Sequence, residues 1–296
     1  KGWDTIVLKP GEAHKKQSAV DGAIRQLIQY GADRKTWVVG IGGGVVTDIT
    51  GYIAAIYMRG IRFGFIPTTI LAMVDASIGG KNGIDVGVYK NLVGIIRQPS
   101  FLLYDYSFLR SLPTAEWVNG FAEIIKHAAI RDASLLDLVE DRPLARRRLT
   151  ELVARNVAIK AAIVEEDERE TTGTRALLNF GHTLGHGIES AGGYGRFLHG
   201  EAISLGLVAA TRLSVEKSGL SAADAERIIA ALRAYGLPTS LPADVPDGAI
   251  LAAMGRDKKF EAGRIRFVLL RALGDACLSD EVTGADLERA LSDLRI

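Results

Sequence analysis

Thr36-Trp37-Val38-Val39-Gly40-Ile41-Gly42-Gly43-Gly44-Val45-Val46-Thr47-Asp48 joins a β-branched run to a glycine cluster, and the cluster to an apolar stretch at helical spacing. That order predicts a strand, a tight turn and a helix, the repeating unit of an α/β fold. Backbone amides at the helix N-terminus would face whatever lies above the sheet. Phosphate is the natural guest, because the helix dipole favours an anion and a glycine lets a diphosphate approach the amides. The spacing is not the ordinary dinucleotide fingerprint, and a glycine turn between strand and helix is more often structural than functional, so the glycines taken alone favour a structural turn.

The alternation extends on both sides. Thr5 to Leu8, Thr36 to Val39 and Gly64 to Pro67 read as strands, and Ala19 to Tyr30 and Asp48 to Met58 as helices, which predicts parallel pairing up to Pro113. Beyond Thr114 the period changes. Ala115 to Ile130, Ala133 to Glu140, Leu144 to Glu166, Gly181 to Glu189, Glu201 to Lys217 and Ala222 to Tyr235 all carry apolar residues at helical spacing. Arg264 to Leu270 reads as one late strand after a turn over Gly255 to Gly263. A chain of 296 residues suits two packed domains, here residues 1–113 and 114–296. The sequence has no internal repeat and no low-complexity tract.

Composition narrows the function classes. A net charge of +1 gives no long-range attraction for a polyanion, and Arg146-Arg147-Arg148 is the densest basic run, read as a solvated helix face. Nucleic-acid binding is therefore not expected. The apolar stretches are broken by Asp48, Arg59, Arg62 and Asp75 before they could span a membrane. A single cysteine, Cys277, fits a reducing cytoplasm.

Three of the five histidines, His182, His186 and His199, fall within eighteen residues, and the first two lie at i and i+4. Such clustering suits a metal with imidazole ligands, completed by a carboxylate. Glu123 is the candidate, a charge in an apolar helical stretch; the alternative is an ordinary surface glutamate. His14 and His127 read as ordinary surface or core histidines. Residue 183 is Thr, not the Glu that a zinc peptidase would use as base. A string of cations, including Arg59, Lys81, Lys90, Lys126, Lys160, Arg175, Lys258 and Lys259, lies in Gly-rich and apolar surroundings. Lys81, Lys90 and Asn91 read as one loop that could present two ammonium groups and an amide to a phosphate.

These residues resemble the 3-dehydroquinate synthases, a family of sugar phosphate cyclases. The resemblance runs from Pro10 to about Ala276. It is carried by Gly42 to Asp48, Tyr57-Met58-Arg59-Gly60, Pro67-Thr68-Thr69, Val74 to Lys81, Lys90 to Gly94, Ala122 to His127 and Leu177 to His182. It implies an α/β NAD-binding domain with a Rossmann-like parallel sheet, a helical metal- and substrate-binding domain, and a homodimer with its active site in the interdomain cleft. The family's opening strands have no counterpart before Pro10, so the sheet is expected to be incomplete. Asn82-Gly83-Ile84-Asp85 stands where Thr-Ala-Ile-Asn is commoner, and Thr171-Thr172-Gly173-Thr174 is one residue longer than the usual turn.

By resemblance, Glu123, His182 and His199 would hold zinc or cobalt. NAD+ would be lined by Glu12 and Lys15, by the glycine turn and helix start at Gly43, Gly44, Val45, Val46, Thr47 and Asp48, and by Thr68 and Thr69. Lys81, Lys90, Phe108, Leu109, Arg110 and Ser111 would complete that lining. Arg59, Asn91, Asn179, His186 and one of Lys258 and Lys259 would grip the substrate phosphate, Lys160 and Arg175 its carboxylate, and Asp75 with Lys126 its hydroxyls. The resemblance allows Arg59 to act across the dimer interface. The implied reaction converts 3-deoxy-D-arabino-heptulosonate 7-phosphate, a phosphorylated sugar acid, to 3-dehydroquinate and phosphate by oxidation, elimination, re-reduction and aldol closure, with NAD+ regenerated each cycle. Rival readings are an aminodehydroquinate or 2-epi-5-epi-valiolone synthase, a metal-dependent alcohol dehydrogenase that releases NADH, and a non-catalytic binding or dimerisation partner.

Overall fold

The computed structural model describes residues 2–87, 89–193, 195–254, 260–261 and 264–295. The chain forms two compact units, Lys1–Pro113 and Thr114–Ile296.

In the first unit the elements are α1 (Gln17–Gln29), β1 (Trp37–Gly42), α2 (Gly44–Ile56), β2 (Arg62–Pro67), β3 (Lys81–Val86) and β4 (Tyr89–Ile96). α1 buries Val20, Ala23 and Leu27, one stripe at helical spacing. It packs with Ile49, Ile53 and Ala54 of α2 and with Phe63 and Phe65 of β2 in one apolar core. β1 and β2 pair in parallel, Trp37 with Arg62 through Gly42 with Pro67. A parallel pair needs a crossover, and α2 supplies it. Gly40 admits that helix: a Cβ there would lie 2.8 Å from the Thr50 hydroxyl oxygen and 3.2 Å from the Phe65 ring.

Two expectations are corrected here. Thr5 to Leu8 forms no strand among the described residues. Ile6 and Leu8 pack on the core, but among the described residues the run pairs with no strand. The stretch read as a Lys81–Lys90 loop is instead the antiparallel hairpin β3/β4. Its Asn82-Gly83-Ile84 stretch is buried beneath α2, where Asn82 Nδ2 bonds the carbonyls of Gly80 and Arg97 at 2.7 and 2.9 Å.

The second unit contains α3 (Thr114–Arg131), α4 (Ala133–Glu140), α5 (Arg142–Arg147), α6 (Leu149–Glu166), α7 (His182–Gly192), α8 (His199–Lys217), α9 (Ala222–Ala234) and α10 (Asp247–Met254). Short strands follow, β5 (Phe260–Glu261), β6 (Arg264–Ile265), β7 (Phe267–Ala272) and β8 (Asp275–Ser279), and then α11 (Gly284–Asp293). The late strand predicted from Arg264 to Leu270 is divided between β6 and β7, and β7 continues into an antiparallel hairpin with β8, so this unit is mostly rather than wholly helical. The helix expected from Leu144 to Glu166 breaks at Arg148 (φ −102°, ψ 33°), with Asp141 capping α5 through the Leu144 N–H. Residues 255–259, including Lys258 and Lys259, and 262–263 lie outside the described residues.

α8 is the central helix. It packs against α3, α7, α9, α11 and β7, and its residues from Ala202 to Thr211 are buried on every side. Two glycines bring its neighbours close. A Cβ on Gly206 would stand 2.0 Å from the Gly181 carbonyl oxygen, and one on Gly200 2.1 Å from the Asn119 carbonyl oxygen. Gly206→Ala is therefore expected to cost about 2 kcal/mol or more by overpacking. Gly248→Ala, in α10 with nothing within 4 Å of its Cβ, should stay within about 0.5 kcal/mol of the parent. Denaturant unfolding of the two variants checks this, and equal stabilities would refute the close-crossing argument.

Candidate metal centre and active site

Glu123, His182 and His199 come from α3, α7 and α8, and the two crossings just described assemble them. Asn119 lies one helical turn before Glu123, and its Oδ1 accepts the Gly200 N–H at 2.5 Å. That bond ties the first turn of α8 to the Glu123 face of α3, next to His199. Glu201 Oε2 takes the Leu198 N–H at 2.8 Å and fixes the same helix start. Gly181, at φ 76°, turns the chain into α7 and sets His182 at its first position.

The donor atoms of Glu123, His182 and His199 lie within 4.8 Å of one another. Nε2 of His182 is 3.3 Å and Nε2 of His199 3.6 Å from Glu123 Oε1. Glu123 is fully buried, yet among the described residues neither of its oxygens accepts a well-formed hydrogen bond. Lys126 Nζ, one turn along α3, contacts Oε2. Burial opposes the charge on Glu123, but Lys126 and then His182 outweigh it and hold the carboxyl well below its usual range. His182 is pushed down by burial and by Lys126. His182 Nδ1 lies 3.1 Å from the Phe180 carbonyl, and His199 Nδ1 3.7 Å from Glu189 Oε2. Each ring thus meets an acceptor on one side and turns Nε2 to the shared centre, as outer-sphere partners do for metal-bound histidines. Two imidazoles and one carboxylate converging around an unbonded carboxylate oxygen fit a zinc- or cobalt-type divalent ion.

His186 is exposed and stands outside this donor set, its ring centroid 5.2 Å from that of His182. His127 is a buried core histidine, Nδ1 3.1 Å from Asn156 Oδ1. Lys160 and Arg175 are both buried cations of this unit; Arg175 opens a short helical turn, Arg175–Asn179, that packs on α6. Asp167 organises the turn before it. Its carboxylate accepts the N–H groups of Thr171, Thr172, Gly173 and Arg175 at 2.7, 3.1, 3.0 and 3.1 Å, and Arg175 Nη1 donates to the Glu168 carbonyl. Asn179 Nδ2 lies 3.4 Å from Oε1 of Glu170, itself at φ 59°. Sequence reading missed Asp167, Glu170 and Glu189. Only Glu189 left a trace, as a charge on the apolar stretch three residues after His186.

In the first unit, the glycine turn ends at Gly43 and α2 starts at Gly44. Val46 and Thr47 donate to the Gly43 carbonyl, so the amides of Gly44 and Val45 precede the helical ladder, the arrangement that receives a phosphate. Thr68 N donates to the Gly42 carbonyl at 2.9 Å, and a Cβ on Gly43 would lie 3.1 Å from Thr69 Cγ2, so the glycine turn and Thr68-Thr69 are adjacent. Gly42 also has a packing reason, since a Cβ there would stand 2.6 Å from Val46.

A second cluster gathers Glu12, Lys15, Asp48, Lys90 and Asn91. Buried Lys15 donates to Asp48 and to Asn91 Oδ1, and Glu12 lies 3.9 and 3.8 Å from Lys15 and Lys90. Burial alone would lower the Lys15 pKa, but Asp48 and then Glu12 raise it. Lys81 starts β3, opposite Ile96, whereas Lys90 follows the hairpin turn. Five residues at about 3.3 Å each separate the two ends, so the hairpin does not present Lys81 and Lys90 side by side from one loop. Phe108, Leu109, Arg110 and Ser111 lie on a separate turn, Tyr106–Ser111. Asp75 sits in a single π-helical turn, Ala72–Ala76, a distortion common at functional sites. Arg59 follows Met58 with both residues at positive φ, 66° and 50°. Such backbone costs about 1–3 kcal/mol per residue and clusters where function requires it.

Residues 5–119 match the family model described as "3-dehydroquinate synthase N-terminal", and residues 120–260 that described as "3-dehydroquinate synthase C-terminal". A 3-dehydroquinate synthase from Opitutus terrae is 46% identical over 281 residues, 94% of this chain and 78% of that protein. The chain belongs to the 3-dehydroquinate synthase family. A second member, from Thermodesulfovibrio yellowstonii, is 40% identical over 97% of this chain and 81% of its own length. Among solved structures, the family fold is shared with ValA, a 2-epi-5-epi-valiolone synthase from Streptomyces hygroscopicus subsp. jinggangensis 5008 with NAD+ and Zn2+ bound. The identity is 31%, the TM-score 0.89, and the match covers 96% of this chain and 81% of that one.

The Asp167 clamp has a pH signature. Burial would raise the carboxyl's pKa, but the N–H groups of Thr172, Arg175 and Thr171 hold it far below its ordinary 3.8. A carboxyl depressed in the folded state contributes stability above its unfolded pKa and loses it as pH falls toward the folded value. The stability advantage of the parent over Asp167→Asn should therefore be largest near neutrality and shrink below about pH 4. Denaturant midpoints from pH 7 down to about pH 3 test this, and a pH-independent difference would contradict it.

Proposed function

We propose that this family member acts as a 3-dehydroquinate synthase, a carbon–oxygen lyase that converts 3-deoxy-D-arabino-heptulosonate 7-phosphate to 3-dehydroquinate and phosphate in the shikimate route to aromatic amino acids. The observation that carries the reading is the convergence of Glu123, His182 and His199, in a unit that also buries the cations Lys160 and Arg175. The same reading makes the protein a cytoplasmic homodimer, supported by the family resemblance and a single cysteine.

Bound NAD+ would supply a reversible hydride acceptor and the bound divalent ion a Lewis acid, so that the cycle ends with no net redox change. The chain's own residues position and neutralise. Gly44, Val45 and the start of α2 receive the cofactor diphosphate, with Thr68 and Thr69 beside them. Lys15 keeps Asp48 oriented at the same helix. Arg59, Asn91, Asn179 and His186 bind the substrate phosphate, the group that must leave as a dianion. Lys126 and Asp75 orient the sugar hydroxyls. Lys160 and Arg175 bind the carboxylate, and burial strengthens that pairing because little water competes for the charges.

The rival that shares metal, cofactor and fold is a cyclase for a substrate without an acid, the activity named for ValA. Two buried cations, Lys160 and Arg175, favour the acid. A cyclase with no carboxylate to bind would leave them buried without a substrate partner.

Phosphate release from the sugar acid by the purified chain should require both NAD+ and zinc or cobalt and proceed without accumulation of NADH. Glu123→Ala should abolish it together with metal binding. Arg175→Lys should lower kcat/KM for the acid about 10- to 100-fold by losing bidentate recognition. Accumulating NADH would indicate a dehydrogenase. Equal turnover of a sugar phosphate lacking the acid would indicate another cyclase.

A further inference from the structure

The hairpin that carries Lys90 and Asn91 is irregular, and a residue outside all of the sets above holds the irregularity in place. Ile84 pairs with Val93 and Val86 with Tyr89. Asp85 alone therefore stands opposite Lys90, Asn91 and Leu92, and β4 carries two residues more than β3 over that interval. A bulge of this kind withdraws residues from the ladder and re-aims their side chains. Asn91 takes up the distortion at φ 52°, in the left-handed region that asparagine enters more readily than other non-glycine residues because its short side chain can hydrogen-bond locally.

Three bonds hold it there. The Asn91 N–H donates to Asp85 Oδ1 at 2.8 Å. The Asp85 N–H donates to the Lys15 carbonyl at 2.8 Å, and Lys15 Nζ donates to Asn91 Oδ1 at 2.5 Å. The ring fixes the orientation of the Asn91 amide. An ammonium can only donate, so it claims the amide oxygen and leaves the NH2 group for an acceptor-only partner, as phosphate oxygens are. Asp85 is buried, and among the described residues its Oδ2 has no hydrogen-bond partner. Its side chain therefore serves the Asn91 N–H through one oxygen.

We propose that Asp85 is a positioning residue for the substrate phosphate: it caps the bulge N–H and so holds Asn91 where its amide NH2 can meet the anion. This rests on the reading that Asn91 binds that phosphate.

The test uses the NAD+- and zinc-loaded enzyme and four variants. Asp85→Asn keeps an acceptor oxygen at the same place without the charge. Asp85→Glu keeps the charge but displaces the acceptor, and Asp85→Ala removes both. Asn91→Ala tests the underlying assignment. Asp85→Ala and Asp85→Glu should raise KM for the phosphorylated substrate about 10-fold or more, with kcat changed less, and should speed hydrogen exchange at the Asn91 amide. Asp85→Asn should restore both readouts to near the parent values. The proposal is overturned if Asp85→Glu behaves as the parent while Asp85→Asn is impaired, since charge rather than position would then matter. It is equally overturned if none of the Asp85 variants moves KM while Asn91→Ala does. An unchanged KM in Asn91→Ala would instead remove the phosphate assignment of Asn91. Should the alanine variant not fold, the contrast between Asn and Glu still decides.

Discussion

Where α8 crosses α3 and α7 there is no room for a side chain at Gly200 or Gly206, and the placement of the metal-type donors depends on that closeness. A fully buried carboxylate such as Glu123 is tolerable only if charges of opposite sign or a metal surround it. Lys126 supplies one such charge from the same helix. The two histidines reach Glu123 only because α8 lies against both neighbouring helices, through the Gly200–Asn119 bond on one side and the Gly206–Gly181 contact on the other. Fold and site in this unit are therefore one construction. Gly200 directly follows His199, and Gly206 meets Gly181, which directly precedes His182.

The first unit solves a different problem with different means. Its glycine turn and helix start form an anion-receptive backbone that needs no charged side chain, whereas the cluster around Lys15 is dense in charge and almost closed upon itself. Strain marks the same places. The non-glycine residues at positive φ among those described are Met58, Arg59, Asn91 and Glu170. Arg59 and Asn91 are assigned to the substrate phosphate, Met58 precedes the first of them, and Glu170 lies beside Asn179. Backbone held away from its preferred regions at these positions fits groups whose direction matters more than their stability.

The likeness to ValA shows how much of the framework is shared among cyclases of different specificity. ValA was solved with NAD+ and Zn2+ bound, and this chain has a donor group that could hold a metal and an anion-receptive glycine turn. In the reading proposed above, discrimination falls to the groups that read what differs between substrates, the buried Lys160 and Arg175. Arg175 is held by the Asp167 clamp, which accepts its N–H and those of the turn before it. The clamp satisfies four backbone donors, those of Thr171, Thr172, Gly173 and Arg175, with one carboxylate, which fixes the backbone that carries the arginine.

Much was legible in the sequence because it depends on local periodicity and composition. The change from alternating β and α runs to helical spacing separates residues 1–113 from 114–296, and the clustering of His182, His186 and His199 pointed to a metal, while the choice of Glu123, His182 and His199 as its donors came from the family resemblance. Local signals failed where pairing or packing decided. Thr5 to Leu8 has strand composition but no ladder partner among the described residues, Lys81 to Lys90 has loop composition but folds as a hairpin under α2, and the helix through Arg148 breaks although its periodicity runs on. Nothing in the order of residues tells that Asp85 meets Asn91, that Asp167 gathers four amides, or that Glu189 stands behind His199. Each joins groups four to ten residues apart, yet depends on the exact backbone path through a bulge, through a turn or from α7 to α8, which the packing of the surrounding elements sets and no local period encodes.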